Sequence, residues 1–249
     1  MHYGPRIPQN GLQLCLDVSN PKSYPKSGDA GYGGDLTIWY DISGNGRNFT
    51  CASAPTLNSQ PVVGGYRQPD SLDAVMFTGP AANSFGIDSS SGASFIFYCT
   101  NDSLTSKGAF KLPIDGSGGA SRGYATHLPW SNGYIYFDTN GSTSTGSGGG
   151  RLNTSSNPGS HVNFFWVHAF TKSADGATMK IYRDGEELAS RTNAGACPTL
   201  NSDAFTIGGT DEYTSGWDAK MGAFLCYNRE LSADEVKQIT AALRGRDGA

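Results

Sequence analysis

At 249 residues the chain has the size that an all-β sandwich reaches as one domain, and no stretch of it reads as a linker between two cores. A net charge of −4, with 16% charged residues and no Lys/Arg cluster, excludes the electrostatic footprint of a nucleic-acid-binding protein; no apolar run reaches the roughly 18 residues of a membrane span. The 34 glycines, together with many Ser, Thr and Asn, predict short strands joined by turns.

The opening Met1-His-Tyr-Gly-Pro-Arg6 lacks the basic start and apolar core of a signal peptide, so synthesis in the cytoplasm is expected, with residues 1–10 as an arm. Leu12, Leu14 and Leu16 recur with a period of two and predict the first strand, which Asn20-Pro21 ends. Residues 22–34 read as loop. Trp39-Tyr-Asp-Ile precedes the turn Ser43-Gly-Asn-Gly46, onto which the Asp41 side chain is expected to fold back. Further antiparallel strands are predicted near residues 74–78, 94–100, 134–138 and 163–171. Residues 140–160 reduce largely to Gly, Ser, Thr and Asn and predict a loop that stays mobile unless a partner orders it.

Residues 178–183 and 186–191 flank Asp184-Gly185, the pair whose tolerance of positive φ suits a two-residue type I′ hairpin turn. A strand from Phe205 ends in glycines and leads through Tyr213 and Trp217 to a strand over residues 220–227. Both faces of that strand are apolar, so both need cover. Ser232-Ala-Asp-Glu235 is a capping box, and Val236, Ile239 and Leu243 form one stripe of the helix it starts; residues 244–249 are a tail. The five cysteines are an odd number without Cys-x-x-Cys spacing. They read as buried thiols, not as a zinc site or a disulfide framework.

The order of four motifs is familiar: Leu16-Asp-Val-Ser-Asn-Pro, Trp39-Tyr-Asp-Ile-Ser-Gly-Asn-Gly, Met179-Lys-Ile-Tyr-Arg-Asp-Gly and Phe224-Leu-Cys-Tyr-Asn-Arg-Glu-Leu-Ser. It resembles the laminin-G-like branch of the concanavalin A-like lectin/glucanase superfamily. With His127-Leu-Pro-Trp, Tyr134-Ile-Tyr-Phe-Asp and Trp166-Val-His-Ala-Phe-Thr-Lys, the set resembles versions found in virion proteins of tailed phages, notably marine ones. The resemblance implies an all-β jelly-roll sandwich of two antiparallel sheets of six or seven strands, with one short C-terminal helix. It also implies that the first strand lies beside residues 220–227, near enough for the pair Cys15 and Cys226 to be inspected.

Such folds host enzymes and binding modules alike, so function rests on sites. No Glu precedes Glu186, and the Glu-x-Asp-x-x-Glu pattern of the superfamily's glucanases is absent. Each of Glu186, Glu187, Glu230 and Glu235 has a turn or a cap to explain it. Asp138, on a predicted strand, is the remaining candidate for carboxylate chemistry. The histidines at 2, 127, 161 and 168 lack metal-ligand spacing and read as structural. Calcium is admitted by the resemblance, since relatives bind it through loop Asp and carbonyl groups. Asp17, Asp41, Asp211 and Asp218 do not form a loop with dense oxygen spacing, so neither a metal site nor any other cofactor is assigned. The candidate glycan-binding residues are Asp211, Tyr213, Trp217 and Asp218, where aromatics to stack on sugar rings and carboxylates to accept from hydroxyls share one loop. Against this stands a second role for Trp217, closing the end of the core as Trp39 and Trp166 would.

The expected protein is a non-catalytic virion surface component, in a head decoration or a fibre or appendage, that also holds host-surface glycans. Its expected partners are other virion proteins, with oligomerisation in the particle, and neither nucleic acid nor membrane. The alternatives are a carbohydrate-binding adhesion module and, less favoured, a glycoside-active enzyme.

Overall fold

The computed structural model describes residues 6–29, 35–58, 62–63, 66–67, 71–88, 90–155, 164–210 and 217–245. In chain order the strands begin with β1 (Leu12–Asp17), β2 (Ile38–Trp39), β3 (Phe49–Thr50), β4 (Leu57–Asn58), β5 (Val62–Val63) and β6 (Tyr66–Arg67). There follow β7 (Ser71–Asp73), β8 (Phe77–Ala81), β9 (Ala93–Asn101), β10 (Phe110–Pro113), β11 (Arg122–His127) and β12 (Tyr136–Thr139). The remainder are β13 (Arg151–Asn153), β14 (Trp166–Lys172), β15 (Met179–Arg183), β16 (Glu186–Arg191), β17 (Ala204–Ile207) and β18 (Ala219–Tyr227), then helix α1 (Ala233–Arg244).

The first sheet runs β16-β15-β14-β9-β18-β7-β4, with β1 also paired to β18; the second runs β13-β12-β11-β10-β17-β8-β3-β2. Among the described residues each sheet has eight strands where six or seven were implied, because the two-residue edge pieces β2, β3 and β4 add brief pairings. The expected neighbours do meet: β1 is antiparallel to β18, with Leu12 opposite Tyr227 and Asp17 opposite Ala223. The strand expected at 74–78 divides instead. β7 belongs to the first sheet and β8 to the second, and residues 74–76 carry the chain across.

Side chains between the sheets form the main core, in which Phe95 and Phe110 approach to 4.7 Å and Phe97 and Phe224 to 4.6 Å between ring centroids. A smaller core lies on the other face of the first sheet, where Leu231, Val236, Ile239 and Leu243 cover Ile96, Val167 and Leu225. This explains the two apolar faces of β18. A register shift between Met221 and Ala223 turns Met221 to the side of Phe224 and Cys226 in the main core, while Ala223, Leu225 and Tyr227 face the helix.

The same alternation separates Cys15 from Cys226. Leu14 stands opposite Cys226 and Cys15 opposite Leu225, so the two thiols project into different cores, and all five cysteines are free. Burial pushes the Cys99 and Cys226 thiols well above their usual pKa. A thiol reagent applied to native protein without reductant should therefore leave Cys99 and Cys226 unmodified, whereas all five should react in denaturant. Labelling of Cys226 in the native state would show that the sheet face is open.

The hairpin turn has the expected geometry, with Asp184 at φ 51° and Gly185 at φ 85°. Asp184 also accepts from the Val167 amide at 2.9 Å and pairs with Arg244, tying the turn to β14 and α1. The Asp41 carboxylate accepts from the Ser43 amide at 2.9 Å and the Arg47 amide at 3.0 Å, and it reaches further than its own turn, to the Cys15 amide at 3.0 Å.

Of the expected loop over 140–160, residues 140–150 are loop, tied down by hydrogen bonds within the chain, and the correction is at Arg151–Asn153, which form a strand. The Thr139 amide donates to Gly150 at 2.7 Å, Gly148 to Asn193 at 2.8 Å, and the Arg191 guanidinium to the Arg151 and Gly146 carbonyls at 2.6 Å each. Poor composition for strands is overridden because the chain lies along the edge of β12, where β13 completes the ladder.

At α1 the Ser232 hydroxyl accepts from the Glu235 amide at 3.2 Å, and the Glu235 carboxylate accepts from the Ser232 amide at 3.0 Å. Arg229 grips the same carboxylate and, with these hydrogen bonds, holds its pKa down to about 2. Ser232→Ala should cost about 1 kcal/mol in denaturant unfolding. The Glu235 contribution is present above its unfolded pKa and should fade as pH falls from ~4.3 towards the folded value, a slope that Glu235→Gln should flatten.

Candidate functional site

The site is built on the face of the second sheet that points away from the main core. Along β12 the alternation is plain: Ile135 and Phe137 enter the core, while Tyr136 and Asp138 take the other face. On β11, strict alternation would put Arg122 on the core side with Tyr124. A register shift opposite Leu112 and Pro113 leaves Gly123 as an extra residue and turns Arg122 to Asp138. A Cβ at Gly123 would lie 2.7 Å from the Leu112 carbonyl oxygen, so glycine is required for that bulge. β13 completes the face, with Arg151 opposite Asp138.

Asp138 is the centre. It is 1% exposed, and both of its oxygens are engaged by Arg151, through Nε and Nη2, while Arg122 Nη1 stands 3.3 Å from Oδ2. Burial works to raise its pKa, but hydrogen bonds and charge from Arg151 and His127 outweigh it and hold the carboxyl below its usual range. His127 Nδ1 lies 3.2 Å from the Lys107 carbonyl oxygen, which only accepts, so Nδ1 carries a proton. Its Nε2 lies 3.5 Å from Arg122 Nη1 and 3.6 Å from Asp138 Oδ2. After His127 the chain turns through the cis Leu128–Pro129 peptide, and the Trp130 ring packs edge-on against His127 at 4.4 Å. The Arg151 guanidinium lies over the Tyr136 ring at 4.9 Å. Together Arg122, His127, Trp130, Tyr136 and Arg151 line a pit of about 270 Å³.

Chemically the pit presents cationic N–H donors held by a buried ionised carboxylate, beside two half-exposed aromatic rings. Asp138, shared between guanidinium groups and held below its ordinary pKa, anchors them in place.

Of the residues singled out in the sequence, Asp138 is the centre of the pit, whereas Trp217 and Asp218 are not in its lining. Trp217 is 1% exposed and sits edge-on to Phe97 at 5.6 Å in the main core, so it has no ring face to offer a sugar, and its second role is the one it fills. Trp39 is likewise buried in that core. Trp166 is not in it, its ring lying between Arg183 and Arg244, at 4.5 and 5.5 Å. Asp218 is exposed, accepts from the Ser103 hydroxyl and does not line the pit; Asp211 and Tyr213 lie outside the described residues, as does His161. Among the described residues no three His, Cys, Asp or Glu side chains gather as a metal site. The pit residues were missed although His127-Leu-Pro-Trp130 and the alternation of Tyr134, Tyr136 and Asp138 were on view, because Arg151 falls in a stretch read as loop and Arg122 depends on a bulge.

A family model described as the concanavalin A-like lectin/glucanases superfamily matches residues 73–237. The chain belongs to this superfamily. All the pit residues of this superfamily member fall within the matched span. No match was found among curated protein sequences. Among solved structures the superfamily fold of the chain is similar to Trypanosoma rangeli sialidase, with a TM-score of 0.63 and 14% identity over 98% of this chain and 34% of that one. It is also similar to the binding domain of Paraclostridial Mosquitocidal Protein 1 (TM-score 0.60, 12% identity, 94% of this chain and 52% of that). The receptor binding domain of botulinum neurotoxin C/D mosaic serotype is a third (TM-score 0.62, 14% identity, 94% and 52%). The chain thus spans about a third of the sialidase and about half of each toxin domain.

Proposed function

We propose that this chain is a non-catalytic glycan-recognition domain of a tailed-phage virion surface protein, in a head decoration or a fibre or appendage, and that it holds host-surface glycans in the Asp138 pit. The pit carries this reading: half-exposed Trp130 is suited to the C–H face of a sugar ring, and guanidinium groups immobilised by Asp138, that of Arg151 lying over Tyr136, are suited to its hydroxyl and acidic oxygens. Two of the similar structures are named as binding domains, which supports a recognition role. The non-catalytic part is supported by Asp138, whose carboxylate is consumed by its arginines where a glycosidase needs two carboxyl groups across the sugar. The virion part is supported by the order of motifs from Leu16 to Ser232, and it brings other virion proteins as partners and an oligomeric setting.

The glycan part is tested by applying the full chain to an array of neutral and acidic glycans. Trp130→Ala should weaken whatever binds by about tenfold or more, while the unfolding free energy stays within ~1 kcal/mol of wild type. Binding that ignores Trp130 would move the site elsewhere, and release of reducing sugar would replace the reading with an enzyme. For the virion part, particles purified by density should contain the chain in a fixed copy number; its absence from them would leave an adhesion module.

A further inference from the structure

We propose that the pit reads the acetamido group of a neutral N-acetylated amino sugar, with the Tyr136 hydroxyl as donor to its carbonyl oxygen and Asn132 as the residue that frees that donor for the ligand. This rests on the glycan-binding reading above and names its ligand class. The orientation of the Asn132 amide is fixed by the backbone. Its Oδ1 accepts from the Tyr134 amide at 2.9 Å, and a backbone N–H only donates, so the atom that faces the Tyr136 hydroxyl at 2.9 Å is Nδ2. An amide NH2 group likewise only donates. The Tyr136 oxygen therefore accepts from Asn132, and its own O–H is left to donate; no acceptor for that proton is present among the described residues.

The hydroxyl belongs to the pit. Tyr136 is part of the lining, and Asn132 sits in the same turn as Trp130, which is closed by the Gly133 amide donating to the Trp130 carbonyl and the Trp130 amide donating to the Tyr134 carbonyl, at 2.8 Å each. The Arg151 guanidinium covers the Tyr136 ring at 4.9 Å and holds it from the other side. A donor oriented in advance by a closed turn loses little freedom when a ligand arrives.

The ligand class follows from what the pit can and cannot accept. Asp138 engages Arg151 through both of its oxygens and so meets its charge, which means that the ligand is not required to be an anion. At 1% exposure that carboxylate offers a ligand no acceptor, and His127 Nε2 faces Arg122 and Asp138. A sugar hydroxyl meeting Tyr136 brings a proton of its own for which the pit has no place, whereas an amide carbonyl oxygen brings lone pairs alone. The acetyl methyl group then has the half-exposed Trp130 ring to cover it. Size agrees: about 270 Å³ is just under the roughly 300–1,000 Å³ of pockets for drug-sized ligands, which suits one sugar residue.

The test is calorimetric titration of the full chain with an N-acetylated chito-oligosaccharide, a cello-oligosaccharide and a fully deacetylated chito-oligosaccharide of equal length. These share one backbone and differ only at C2, which carries an acetamido group, a hydroxyl or an ammonium. The acetylated probe should bind at least about tenfold more tightly than either other probe. Tyr136→Phe keeps the ring beneath Arg151 and removes the hydroxyl, so it should lose about tenfold for the acetylated probe and nothing for the cello-oligosaccharide. Trp130→Ala, by contrast, should weaken both. Asn132→Asp keeps the acceptor for the Tyr134 amide but replaces the donor with a carboxylate oxygen, which takes the Tyr136 proton; it should abolish the same preference with the Tyr136 ring intact. The double variant should bind no more weakly than Tyr136→Phe alone, since both changes remove one donor. Should either single variant fail to fold, the other carries the test. Equal binding of the acetylated and cello-oligosaccharide probes would overturn the acetamido class and leave glycan recognition standing. A preference for the ammonium probe, or an acetamido preference that survives Tyr136→Phe or Asn132→Asp, would each overturn the inference. If none of the three probes binds, it fails as well, and the array then judges the broader reading separately.

Discussion

Asp138→Asn should lower the unfolding free energy by about 3 kcal/mol, read as a shift of the urea midpoint at pH 7. The carboxylate is 1% exposed and serves two guanidinium groups, of which Arg122 is itself nearly buried at 8%. Removing one partner of a buried ion pair typically costs about 3–5 kcal/mol, because the charge left behind has lost both its counter-ion and its water. The lower end applies since Arg151 still reaches solvent. Linkage supplies a second readout. The Asp138 pKa is held below its ordinary value, so its contribution is present above the unfolded pKa of ~3.9 and is lost as pH falls through the lower folded value. The gap between wild type and variant should therefore close in strong acid. An Asn variant as stable as wild type at pH 7 would mean that the arginines are satisfied without Asp138, and the site would lose its anchor.

Trp217→Ala should be the other severe change, at about 4 kcal/mol, within the roughly 3–5 kcal/mol seen when a large aromatic is cut from a core. For a domain of this length that corresponds to a fall in melting temperature of about 8–16 °C. The ring packs against Phe97 between the sheets. Its indole N–H has no hydrogen-bond partner among the described residues, so Trp217→Phe should cost much less than Trp217→Ala. The discriminating result lies in binding: at a temperature where the Ala variant is still folded, its glycan affinity should match wild type. Lost affinity with unchanged stability would return Trp217 to the site from which its burial removes it.

The frame of the fold was readable wherever local chemistry and pattern agree. The Asp184-Gly185 turn and the Ser232 capping box use short-range physics that needs no distant partner, and both recur in the structure as read; the alternation of Leu12, Leu14 and Leu16 holds for Leu14 and Leu16 alone, because a register shift after Leu12 sends that side chain to the helix-side core. The apolar faces of β18 were also legible, because both demand cover wherever that cover comes from. That one cover is a second sheet and the other a helix is a fact of tertiary arrangement.

The pit depended on that arrangement throughout. Arg122 and Arg151 come from β11 and β13, which meet only through β12 between them, and a bulge at Gly123 reverses the face that alternation assigns to Arg122. No short-range pattern encodes a bulge opposite Leu112 and Pro113, since the competing conformers differ in long-range pairing and not in local preference. Trp217 shows the converse. In sequence an aromatic beside loop carboxylates is equally a sugar platform or a core plug, because both depend on which side of the sheet the ring ends up on. Backbone preferences and turn residues therefore set the elements and their order in this protein, whereas the pairing of β11, β12 and β13 made Asp138 the anchor of the pit and the packing of Trp217 on Phe97 buried its ring.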